Sequence, residues 1–88
     1  MEVTVIKASA HSNVASVAGA IAAAVREKGS AEIQVIGAGA LNQAMKAVIV
    51  SRGFLAPEGI EICLIPSFAE TEISGESRTA IRLLVESR

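Results

Sequence analysis

Residues Ala31 to Phe54 read AEIQVIGAGALNQAMKAVIVSRGF. A β-compatible run meets Gly37-Ala38-Gly39, and a helix-like segment follows without a break. Glycines at a strand-to-helix turn can hold a phosphate on backbone N–H groups. They can equally let one backbone approach another closely. The choice between these uses separates a chain that handles nucleotides or nucleic acid from one that handles neither.

The elements around this stretch follow from periodicity. Glu2 to Ala8 alternates β-branched residues and reads as a first strand. Ser9 to Asn13 is polar and loop-like, and Ser12 or Asn13 can cap a helix. Val14, Val17, Ile21 and Val25 recur at helical spacing, with Lys28-Gly29 as its end. The flank of Ala15, Gly19, Ala22 and Ala23 has almost no side-chain bulk. Ala31 to Gly37 is the second strand. The second helix is expected over Ala40–Arg52, with Leu41, Ala44, Met45, Val48 and Ile49 on its core stripe. Asn42, Gln43 and Lys46 lie opposite, and Val50 falls among them, which hints at a covering partner.

Pro57 and Gly59 mark a turn. Ile60, Ile62 and Leu64 share one face of a third strand. The segment from Pro66 to Arg78 is expected to be an acidic, mobile connection. Thr79 to Ser87 is a fourth strand, with Ile81, Leu83 and Val85 inward and Arg82 outward. The order is β-α-β-α-β-β. Right-handed crossovers place both helices on one face, giving a two-layer α/β sandwich with a mixed four-stranded sheet.

Eighty-eight residues correspond to a single domain, 1–88. At 51% hydrophobic and 19% charged residues, the chain is globular. Phe54 and Phe68 are its only aromatic residues, which speaks against a base-stacking platform. A net charge of -1 speaks against a generic coater of nucleic acid. The lone Cys63 excludes an internal disulfide and is expected to be buried in a reducing cytoplasm. The N-terminal stretch does not resemble a signal peptide, and no apolar run is long enough for a membrane span.

Chemistry-bearing motifs are few. A dinucleotide fingerprint calls for a third glycine where Asn42 stands, and a P-loop Gly-Lys-Ser/Thr is absent. His11 has no evident nucleophile or carboxylate partner, and no metal ligands cluster with it. No enzyme and no cofactor are therefore expected. Lys7, the first loop and the start of the second helix share an edge in this topology, so they form a candidate phosphate-facing surface. Its members are Lys7, Ser9, His11, Ser12, Asn13, Gly39, Asn42, Gln43 and Lys46. The acidic residues Glu70, Glu72 and Glu76 work against a hairpin arm that grips DNA.

The stretches SVAGAIAAAVREKG, AEIQVIGAGALNQAMKAVIVSRGF and RTAIRLLVES together resemble the stage V sporulation protein S family, above all in IGAGALNQAMKA. The resemblance implies a small bacterial regulator linked to sporulation, with an Alba-like fold. In Alba-type chromatin proteins a lysine near the start of the second helix contacts nucleic acid. Gln43 occupies that position here, the first loop is not basic, and the hairpin is acidic. The expectation is weak or selective nucleic-acid binding, to DNA or RNA, by a cytoplasmic homodimer. The alternative is a protein-interaction module that binds no nucleic acid.

Overall fold

The structure, a computed structural model, describes residues 3–88. Its elements are β1 (Val5–Lys7), α1 (Val14–Lys28), β2 (Ser30–Val35), α2 (Ala38–Leu55), β3 (Ile62–Ile73) and β4 (Glu76–Ser87). A 3₁₀ turn, Ala56–Glu58, follows α2. The strands form one sheet in the order β1-β2-β4-β3. The β1–β2 pair is parallel, and the other two pairs are antiparallel. Both helices cover one face of this mixed sheet, as the β-α-β-α-β-β order predicts. β1 is shorter than the expected first strand, and Glu2 lies outside the described residues.

Local chemistry sets the helix ends. Asn13 caps α1 by accepting a hydrogen bond from the Ser16 N–H at 2.9 Å. Gly29 ends it in the left-handed region, where a side chain is disfavoured. α2 begins two residues earlier than Ala40 and runs to Leu55, because Ala38 and Gly39 already adopt helical geometry after Gly37.

The core holds Ile21, Val25, Ile33, Val35, Leu55, Leu83 and Val85, together with many alanines. Ile33 on β2 pairs with Leu83, and Ala31 pairs with Val85, so each pair shares the helix-covered face. Between the helices the contact is made of small residues. Ala18 and Ala22 of α1 are buried, as are Ala40, Ala44, Ala47 and Ser51 of α2. Small side chains let two helix backbones approach closely, and close approach maximises dispersion contact along the seam. Ser51 satisfies its hydroxyl within the seam by donating to the Val48 carbonyl at 2.7 Å.

Three expectations are corrected. Met45 and Ile49 are exposed, not core residues, Ile49 to 64%. The helix turns its alanine flank inward instead, since bulky residues would hold α1 away. Cys63 is exposed. It pairs with Glu86 on the face without helices, one pleat away from the buried Ile62. The Pro66–Arg78 segment is not a mobile connection. β3 and β4 pair without interruption from Ile62↔Ser87 to Ile73↔Glu76. Only Ser74 and Gly75 form the turn, both at positive φ (52° and 80°), as a tight two-residue hairpin requires. Glu70 accepts hydrogen bonds from Ser77 and Thr79 across the strands, so the carboxylate helps to order the arm.

Candidate nucleic-acid interface

The glycines that open α2 have different jobs. Gly37 sits at φ 90°, ψ 157°, a region almost closed to side chains, and a Cβ there would meet open space. It turns the chain from β2 into α2. Gly39 has ordinary helical geometry, but a Cβ there would come within 2.9 Å of the Ala10 Cβ. It allows the first turn of α2 to touch the β1–α1 loop. Close packing thus accounts for Gly39, and the chain turn for Gly37.

That contact is reinforced. The Gln43 Nε2 group donates to the Ser12 carbonyl at 3.0 Å. Within the loop the Ser9 N–H donates to Ser12 Oγ at 2.8 Å, and the His11 N–H donates to Ser9 Oγ at 3.2 Å. Together with the Asn13 cap, these bonds give the loop a defined shape. The Ala8 N–H ties its start to the Gln34 carbonyl on β2 at 3.2 Å.

The result is one continuous edge. Ser9, His11, Asn13, Gly39, Asn42 and Lys46 are exposed along it, and Ser12 and Gln43 are half-buried. Asn42 and Lys46 lie one helical turn apart, so their side chains share a flank. The first-turn N–H groups of α2 have no intrahelical partner, and Gly37 at the N-cap offers no side chain to cap them. Those groups, the loop hydroxyls and the Lys46 ammonium are all donors that suit an anion. The Gln43 amide also positions the loop through its bond to the Ser12 carbonyl.

Lys7 does not join this edge. Ile6 pairs with Ile33 on the helix-covered face, so Lys7, one residue on, belongs to the bare face. It borders a cleft of about 280 Å³ between the loop and the hairpin tip, with Ser9, Gln34, Thr71 and Ala80 among the lining residues. Sequence reading missed this cleft because the hairpin tip reads as a loose connection and not as a wall.

Residues 4–88 match the family model described as stage V sporulation protein S. The chain belongs to the stage V sporulation protein S family. Membership covers every described element, including both glycines at the start of α2 and the whole hairpin. It makes this a sporulation-related protein. Among the described residues, no helix is long and apolar enough to cross a membrane, and no group of His, Cys, Asp or Glu side chains is arranged to hold a metal ion.

Proposed function

We propose that this sporulation-related chain is a non-enzymatic cytoplasmic regulator that binds nucleic acid weakly or selectively through the β1–α1 loop and the start of α2. The observation that carries the reading is the contact of Gly39 with Ala10, locked by the Gln43–Ser12 hydrogen bond. It presents loop hydroxyls, uncapped N–H groups, Asn42 and Lys46 on one preformed edge. Donors of this kind bind backbone phosphates and fix register, while amide side chains reach base edges. The net charge of -1 limits the electrostatic contribution, so affinity comes from a few placed donors and not from a basic field.

The same reading makes the protein a homodimer. Met45, Ile49 and Phe68 are exposed on the helix-covered side, Phe68 to 78%. A second copy covering them would bury apolar surface and bring two binding edges into one particle.

A competing reading follows from those exposed apolar residues alone: they dock another protein, and nucleic acid is not a ligand. A salt titration of binding to short duplex DNA, single-stranded DNA and RNA separates the two. Affinity that falls with salt, and falls further in Lys46→Ala/Gln43→Ala, supports the nucleic-acid reading. Absence of binding to all three at low salt overturns it in favour of the protein-docking module.

A further inference from the structure

We propose that the cleft beside Lys7 holds one unpaired nucleotide of a single strand, a deepening that rests on the nucleic-acid reading above. Register aligns Lys7, Gln34, Arg82 and Ser67 in one row across the bare face of the sheet. Side chains of directly paired residues project to the same side, so Lys7 and Arg82 stand on one surface, two strands apart. One pleat toward the hairpin tip lie the apolar residues Ile36 and Ala80, which line the cleft. Thr71 and Ile73 of the hairpin close its far side.

The chemistry of this place fits a nucleotide. The floor is apolar and Ala80 is buried, so it suits the flat face of a base held between aliphatic walls. Gln34 donates its amide N–H to Glu32 at 2.8 Å, which leaves its Oε1 as an acceptor. The Thr71 hydroxyl adds a second polar group for a base edge. Arg82 uses Nε on Ser67 Oγ at 3.2 Å, so its terminal nitrogens remain available for a phosphate. Lys7 supplies the second cation, on the opposite side of Gln34. A cleft of about 280 Å³ is large enough for a single nucleoside and too small for stacked pairs. A duplex keeps its base faces covered, whereas an unpaired strand can insert one. Glu72 also borders the cleft at its hairpin-tip end, so the phosphate is placed at the opposite end, toward Lys7 and Arg82.

The test uses the full chain, a fluorescent single-stranded 12-mer, the matching duplex and a free nucleoside monophosphate. Binding is read by anisotropy and by backbone amide shifts. Arg82→Gln is an exposed change that spares the fold, and Ala80→Leu fills the cleft. The expected result is that the single strand binds better than the duplex and shifts the amides of Ile36, Thr71 and Ala80. Arg82→Gln then lowers its affinity about tenfold, as loss of one charge-assisted contact should. Equal binding of duplex and single strand, with shifts confined to His11–Asn13 and Gly39–Lys46, overturns the cleft proposal and leaves the α2 reading standing. Binding of the free nucleotide without the strand also overturns it. Failure of every probe removes both readings. If Ala80→Leu does not fold, Arg82→Gln and the shift map still decide.

Discussion

Gly39 and Ala10 pack so closely that a Cβ added to the glycine would lie 2.9 Å from the alanine Cβ. One missing methyl group thus sets the distance between α2 and the β1–α1 loop. Gly39→Ala should destabilise the protein by about 1–3 kcal/mol through overpacking. Adding Ala10→Gly should recover most of that loss, because the clash is pairwise. Gly37→Ala should cost about 1–3 kcal/mol for its backbone strain, and Ala10→Gly should not relieve it. Urea denaturation of the four variants checks both statements.

Gln43 and Lys46 should separate in their effects. Gln43→Ala removes the bond to the Ser12 carbonyl and should lower stability by about 1 kcal/mol while loosening the loop. Lys46 is exposed on the helix surface, and Lys46→Ala should leave thermal stability within about 0.5 kcal/mol. It should reduce nucleic-acid affinity and flatten the salt slope by about one unit. A Lys46→Ala variant that binds with the parental affinity and slope would remove this side chain from the interface.

The helix seam should tolerate no growth. Ala44 is fully buried between α1 and α2. Ala44→Leu should force the helices apart and destabilise by about 1–3 kcal/mol, whereas the same change at the exposed Ala23 should be close to neutral. Thermal melts of the two variants provide the comparison.

Self-association should depend on the exposed apolar residues. Ile49→Lys combined with Phe68→Ser removes two of the most exposed large hydrophobic side chains. Sedimentation equilibrium should show the parent chain as a dimer and this variant as a monomer with unchanged far-UV circular dichroism. A monomeric parent would instead leave those side chains to another partner.

Pro66 should guard the outer edge of the sheet. β3 is an edge strand, paired only with β4, and Pro66 stands opposite Leu83 in that ladder. A proline has no N–H to offer a further strand, so it interrupts edge-to-edge pairing. Pro66→Val should promote concentration-dependent aggregation without loss of folded structure, as read by light scattering.

The sequence by itself determined the features that depend on near neighbours. Alternation in Glu32–Val35 and Ile81–Val85 marks strands with one buried face, and the spacing of Val14, Val17, Ile21 and Val25 marks α1. Asn13 and Gly29 mark the ends of α1, and Gly37 marks the turn into α2. The order of these elements, with right-handed crossovers, leaves the observed layering. Tertiary structure decided the rest. Helical spacing places Met45 and Ile49 on an apolar stripe, but the alanines beside them let α1 come closer, so packing between helices chose the other flank. Strand pairing turned an acidic, polar segment into an ordered hairpin, because its ladder bonds come from residues distant in the chain. The same pairing put Cys63 on the bare face and Lys7 beside the hairpin tip. The meeting of Gly39 with Ala10 lies furthest from sequence reading. It depends on two backbones that only the complete sheet brings together, and nothing in either local stretch encodes their distance.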